Sequence, residues 1–206
     1  TGYCWQRERT PEAALYQIAR AVTNEDRALF DEYVDEDAVL ASMHTDASTL
    51  LADNIEALHA RHPSDWFFRH DPAFMRDYMA QHRTEYIGTA RMALDFYFDA
   101  QRVPVTKADG NARWGSDEMR AFAAHYTASL EPAQITGDHA AVNVRVRGDD
   151  SDYGRLLPEG SLTMELARQE DGRWKLVRIY TDTARTNGFY AFVDAAEHYW
   201  TLQGWD

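Results

Sequence analysis

The sequence predicts an α+β fold in which a helical N-terminal half packs on a small curved antiparallel sheet. Two observations predict it. Apolar residues recur at helical spacing from about residue 10 to about residue 130, and beyond that their period drops from 3.6 to 2. The composition, 45% hydrophobic and 13% aromatic with 27% charged residues, is that of a chain that buries its own core. A single domain of 206 residues buries roughly 70% of its unfolded surface, so neither a disulfide nor a metal is needed to hold it together. The expected layout is one domain over 1–206, helical at about 10–130, sheet at about 132–182, with a last helical segment at about 188–204.

The first helix starts at Thr10-Pro11-Glu12, where threonine caps the free amides, proline fits the first helical position and glutamate suits the positive end of the dipole. Leu15, Ile18, Ala19 and Val22 fall on one face of it. After the break at Thr23-Asn24-Glu25-Asp26, a short second helix turns Leu29, Phe30, Tyr33 and Val34 inward, and Asp35-Glu36-Asp37 either ends or extends that unit. A helix over 46–61 follows, with Leu51, Ile55 and Leu58 as its stripe and Pro63 beyond its end. Asp71-Pro72 opens the next, carrying Phe74, Met75, Tyr78 and Met79; the pattern runs on to Phe98, as one long helix or as two with a bend near Gly88. Residues 104–115 read as a loop turning at Asp109-Gly110-Asn111, and Ser116 as the cap of a fifth helix that presents Met119, Phe122, Ala123, Tyr126 and Leu130.

In the strand region Val142, Val144 and Val146 alternate with Asn143, Arg145 and Arg147, and Leu162, Met164 and Leu166 with Thr163 and Glu165. The polar stretch 149–160 joins these two strands. Asp171-Gly172 is a hairpin turn leading into Trp174–Tyr180. Apolar residues there occupy both parities, which predicts a central strand with both faces partly covered. Asn187-Gly188 then releases an aromatic segment expected to fold as a helix on the sheet.

A net charge of −13 argues against sequence-independent nucleic-acid binding, which depends on neutralising phosphates with basic side chains. The only lysines are Lys107 and Lys175, and no basic run forms a membrane-binding patch. Cys4 is the single cysteine, which excludes an internal disulfide and a cysteine-based zinc site. The chain starts at Thr1 rather than methionine; a removed signal peptide or a membrane anchor before it, and hence an extracytoplasmic location, is the expectation.

The phrases "ITGDHAAVNVRV" and "LTMELARQEDGRWKLVRI", with Gly137-Asp138 opening one strand and Asp171-Gly172 opening another, resemble the NTF2-like superfamily of ketosteroid-isomerase-like and polyketide-cyclase-like proteins. The opening phrase "RTPEAALYQIARAVTNEDRALFDEYVDEDAV" is similar to the two-helix start of secreted or membrane-anchored bacterial members. The resemblance implies a curved sheet wrapped by helices into a cone able to hold a small apolar ligand. It implies no single activity. The helical region over 45–102 departs from the compact pattern and stands where it would fill or cap that cone.

Chemistry-bearing residues are sparse. Glu56, His59, His62 and His70 could form a divalent-metal site, but a polar helix face is the commoner meaning of that spacing, and no metal or other cofactor is expected. Asp95 and Asp99 share a helix face, where paired carboxylates either do acid–base work or are simply hydrated or ion-paired. Asp149, Asp150 and Asp152 lack the glutamate a calcium loop needs at its twelfth position. Trp66-Phe67-Phe68 and the aromatics from Phe189 onward serve a ligand cavity, a partner surface or the core. His139, beside Asp138, is read as a turn residue.

The candidate ligand-binding residues are Arg145, Arg147, Trp174 and Tyr180, with a cross-strand ion pair from the arginines to Glu165 as the competing explanation of the first two. The leading functional expectation is a non-enzymatic domain that binds a small apolar or anionic ligand or another protein, a second copy of itself included. The alternative is an isomerase, cyclase or dehydratase with an acid–base residue inside the cone.

Overall fold

A computed structural model of the chain describes residues 9–180. Among these residues seven α-helices precede a five-stranded antiparallel sheet, so the class is α+β with the helices mostly N-terminal. Helix α1, Pro11–Thr23, is capped by Thr10, whose hydroxyl accepts from the Ala13 amide at 3.1 Å. Helix α2, Arg27–Tyr33, is capped by Asp26, which accepts from the Leu29 amide.

Asp35 resolves its own ambiguity: its carboxylate accepts from the Ala38 amide and starts α3, Glu36–Asp53, ten residues earlier than the apolar stripe predicts. The added turns bury Val39 and Leu40, apolar residues that the predicted stripe left out. Asn54 interrupts the helix, and α4, Ile55–Arg61, follows. Helices α5, Pro72–Gln81, and α6, Arg83–Phe98, meet at His82 rather than bending near Gly88, which stays helical.

Helix α7 spans Lys107–Ala123, which corrects the loop expected over 104–115. A capping box makes the difference: the Thr106 hydroxyl accepts from the Asp109 amide at 3.1 Å, and the Asp109 carboxylate accepts from the Thr106 amide at 3.0 Å. The Val105 and Thr106 amides hold the Asp109 carboxyl below its usual range. Gly110 and Asn111, with turn propensity, are carried inside the helix. Ser116, expected as a cap, is instead a fully buried mid-helix residue.

The sheet begins at Tyr126, which moves 126–130 from the helical part to the sheet. Its strands are β1 (Tyr126–Leu130), β2 (Gln134–Thr136), β3 (His139–Gly148), β4 (Glu159–Arg168) and β5 (Trp174–Tyr180). The order is β1-β3-β4-β5, and β2 pairs with the start of β3 on the same edge as β1. Gly137, at φ +62°, supplies the left-handed turn between β2 and β3.

One register fact decides which side chains share a face. Glu165 pairs with Arg178 but Leu166 pairs with Leu176, so Val177 is an extra residue in β5. The bulge puts Trp174, Leu176 and Ile179 on the same side, against the helices. The mixed parity of β5 is thus a parity change; no residue of the strand is fully exposed, so both faces are partly covered as expected, but β5 ends the order of the described sheet rather than lying centrally.

The helix-facing side of the sheet is filled. Val142, Leu166, Trp174 and Leu176 pack with Ala14, Leu15, Phe30 and Val34, while Phe98, Ile18 and Val22 close around them. The outer edge of β5 is occupied by the chain itself, through a parallel bridge from Val34 to Leu176 and a bond from the Asp35 amide to the Leu176 carbonyl at 2.8 Å. Two satellite clusters complete the helical half: Ala52, Ile55, Met75 and Met79, and separately Ala93, Phe96 and Ala112. Glu36, only 13% exposed, accepts from both Arg27 and Arg91 and so ties α2, α3 and α6 together. The segment over 188–204 expected to be helical lies outside the described residues.

Candidate functional site

The face of the sheet turned away from these helices carries the polar parity of every strand. On β3 it presents His139, Ala141, Asn143, Arg145 and Arg147, and on β4 Glu159, Ser161, Thr163, Glu165 and Ala167. Past the bulge, β5 adds Arg178 and Tyr180 to the same side. Alternation by two therefore assembles a polar surface from residues up to 41 positions apart, from His139 to Tyr180.

Glu165 is the centre of that surface. The Tyr180 hydroxyl donates to its Oε2 at 2.6 Å, and His139 Nδ1 donates to Oε1 at 2.9 Å. Donation by the Tyr180 hydroxyl is the main reason the Glu165 carboxyl lies below its usual range; partial burial opposes the shift, and His139 and Arg178 assist it. The ionised carboxylate can only accept, so the proton of the His139 contact sits on Nδ1, which directs Nε2 away from Glu165. The guanidinium of Arg178 lies 4.2 Å from the Tyr180 ring centroid and bonds Asp46 of α3 at 2.8 Å, which fixes the tyrosine from behind.

A second network runs beside the first. Thr163 Oγ1 donates to Asn143 Oδ1 at 2.9 Å, which orients the amide so that Asn143 Nδ2 donates to Glu131 at 3.2 Å. Glu131 also accepts from Arg145 Nε at 2.5 Å, and these two donors, Asn143 first, hold its carboxyl below the usual range. Between the networks lies a groove of about 490 Å³ walled by Gln134, Thr136, Asn143, Thr163, Glu165 and Tyr180. A smaller groove of about 320 Å³ is flanked by Thr127, Ser129, Arg145, Arg147 and Glu159.

The four predicted site residues thus divide. Tyr180, Arg145 and Arg147 share the polar face, Tyr180 in the larger groove and the arginines at the smaller one. Trp174 does not join them: it is 5% exposed in the core, with Nε1 donating to the Arg9 carbonyl at 3.1 Å. The expected ion pair from Arg145 to Glu165 is also absent, because Ser161, not Glu165, stands opposite Arg145, and Glu131 takes the guanidinium.

Compared with protein-family models, with curated proteins and with solved structures, the chain gives no match. The face is therefore read on its own chemistry.

Other clusters carry less. His125, Asp149 and Ser151 bring three catalytic residue types together, but Asp149 and Ser151 both meet the same imidazole nitrogen, Nδ1, at 3.1 and 3.0 Å. A nucleophilic triad needs the serine on the opposite ring nitrogen. The Ser151 hydroxyl also donates to Asp149 and accepts from the Gly154 amide, so the group is a hairpin-loop brace. Asp95 is ion-paired with Arg27 and Arg102. Among the described residues no group of three or more His, Cys, Asp or Glu is placed to hold a metal ion, and no helix is long and apolar enough to cross a membrane. Phe67 and Phe68 pack on the Met75 cluster, whereas Trp66 is 52% exposed. The aromatics from Phe189 onward lie outside the described residues.

Sequence reasoning missed His139 and Asn143 as site residues. Both were visible on the polar parity of β3, and Glu165 on that of β4. What joins them to Tyr180 is the bulge at Val177, whose trace in the sequence is the mixed apolar parity of β5.

Proposed function

We propose that this chain is a non-enzymatic binding domain, NTF2-like in type, that holds a small polar molecule in the groove on the outer face of its sheet. The observation that carries the reading is Glu165, an ionised carboxylate held on both oxygens by Tyr180 and His139 at the wall of a groove where Thr163 and Asn143 are also oriented by a hydrogen bond. A prearranged set of this kind favours a ligand with a hydroxyl or ammonium donor toward Glu165, because that group keeps lone pairs beyond the two already used. The face against the helices, where the family resemblance implies an apolar ligand, is packed with Val142, Leu166, Trp174 and Phe30.

The test is an amide-resolved NMR titration of the full chain with polyols, amino sugars and small amines. Shifts clustered at Ala141, Asn143, Thr163 and Glu165, weakened about tenfold or more by Glu165→Gln, support the proposal. Binders that map to the helices, or that ignore Glu165→Gln, refute it.

The His139–Glu165 pair favours one second reading, the acid–base enzyme. With Nδ1–H committed to Glu165, Nε2 is the basic position of an oriented imidazole. Turnover of a groove ligand, lost in His139→Gln while binding persists, would decide for it.

A further inference from the structure

The polar side of β3 has one short member. His139, Asn143, Arg145 and Arg147 are long, and Ala141 among them is a single methyl. The register walls it in. Gln134 of β2 stands opposite Ala141 on one flank and Glu165 of β4 on the other, while His139 and Asn143 lie two residues before and after it along β3. Two strand spacings, about 9–10 Å, separate the backbones of Gln134 and Glu165. Ala141 is therefore the floor of a pit inside the larger groove, with a long polar side chain on each of its four sides.

The two flanks offer different chemistry. Glu165 supplies a fixed negative charge with lone pairs to spare, and no lysine or arginine lines the groove among the described residues. Of the guanidinia on this face, Arg178 is matched by Asp46 and Arg145 by Glu131, and Arg147 stands at the far end of β3. Gln134 is exposed, and its amide makes no hydrogen bond among the described residues, so it has a donor and an acceptor to offer. Polar walls on four sides reject an apolar ring, which would leave them unpaired, and accept one that carries its own hydroxyls. Contact distances of about 3.5–4 Å at each wall leave room between Gln134 and Glu165 for one ring thickness, not two.

We propose that this pit selects an amino sugar: a hydroxylated six-membered ring seated on the Ala141 methyl, its ammonium donating to Glu165 and a hydroxyl meeting the Gln134 amide. The inference rests on the reading of the outer face as a binding surface and narrows it, adding Ala141 and Gln134 as specificity-determining residues. An ammonium is preferred to a hydroxyl because a charge-assisted hydrogen bond is about twice as strong as a neutral one, and no lysine or arginine of the groove wall competes for Glu165. Gln134 sets the orientation of the ring, and Ala141 sets how deep it sits.

The experiment is an amide-resolved NMR titration of the full chain at pH 7 with glucosamine, glucose, N-acetylglucosamine and ethylamine. Glucosamine should bind about tenfold tighter than glucose, which keeps the ring but loses the charge. N-acetylglucosamine, neutral and bulkier at the same position, should bind no better than glucose. Gln134→Leu should weaken glucosamine about fivefold or more and leave ethylamine, too short to reach the second flank, unchanged. Ala141→Val, a strand-favouring change that raises the floor, should weaken glucosamine about tenfold or more while ethylamine still reaches Glu165. Both variants are first checked for the wild-type circular dichroism spectrum and melting temperature; if Ala141→Val fails that check, Gln134→Leu, at an exposed position, decides. Glucosamine that binds no tighter than glucose, or that is indifferent to either variant, overturns this proposal, and Glu165-dependent binding of another polyol or amine then leaves the proposed function standing. Absence of any Glu165-dependent binder overturns both.

Discussion

Replacing Tyr180 with phenylalanine deletes one oxygen and, with it, the 2.6 Å bond to Glu165. Hydrogen bonds to a charged partner contribute about 1.5–3 kcal/mol when shielded from water. Glu165 keeps 23% of its side-chain surface exposed and retains His139, so the cost should fall below that range, at about 1 kcal/mol. In a chain of this size that is a drop of about 2–4 °C in melting temperature. The pH dependence gives the sharper test. The Glu165 carboxyl is depressed in the folded state, so its contribution is fully present above the unfolded glutamate value, near about 4.3, and is lost as pH falls through the lower folded value. Urea unfolding followed from pH 7 downward should therefore show the Tyr180→Phe cost undiminished at pH 7 and 5 and shrinking only once the pH falls below the unfolded value. A double-mutant cycle with Glu165→Gln at pH 7 should return a coupling of about 0.5–1 kcal/mol. A cost that already shrinks between pH 7 and 5, or a coupling indistinguishable from zero, would refute the placement of Tyr180 on Glu165.

Three further outcomes check the fold that positions this face. Thr106→Ala removes the cap of α7 and should cost about 1 kcal/mol in urea unfolding, whereas Ser116→Ala removes a fully buried hydroxyl with no partner among the described residues and should be neutral or stabilising by up to about 1 kcal/mol. The opposite pair of results would return the helix start to Ser116. Leu166→Ala, at a site with no solvent exposure near the C-terminal end of β4, should cost about 2–5 kcal/mol by denaturant titration, and a cost under 1 kcal/mol would contradict its place in the core.

The sequence carried the class and most of the sheet, because alternation by two survives any packing: Val142, Val144 and Leu166 face the helices as their parity requires. It carried the starts of α1 and α5, where Thr10-Pro11 and Asp71-Pro72 act locally. It misled at α7, where Asp109-Gly110-Asn111 has turn composition but Thr106 and Asp109 close a capping box around the amides just before it. It also misled at 126–130, where Tyr126 and Leu130 fit a helical spacing of four but pair instead with Gly148 and Val144. Tertiary pairing decides such short segments, and five residues are too few for periodicity to do so. The site was half legible. Arg145, Arg147 and Tyr180 belong to the polar face, but Trp174 was grouped with them because the bulge that separates their sides arises from strand register, a long-range property of β4 and β5 together.

The proposed ligand face is the outer side of the sheet, organised by Glu165. The most direct measurement is the amide-resolved titration of wild type and Glu165→Gln with the tightest hydroxyl- or amine-bearing binder found. The account predicts shifts confined to β3, β4 and the end of β5, saturating in the wild type and weakened about tenfold or more in the variant. Saturating shifts of equal affinity in both proteins, or shifts confined to the helices, would contradict it.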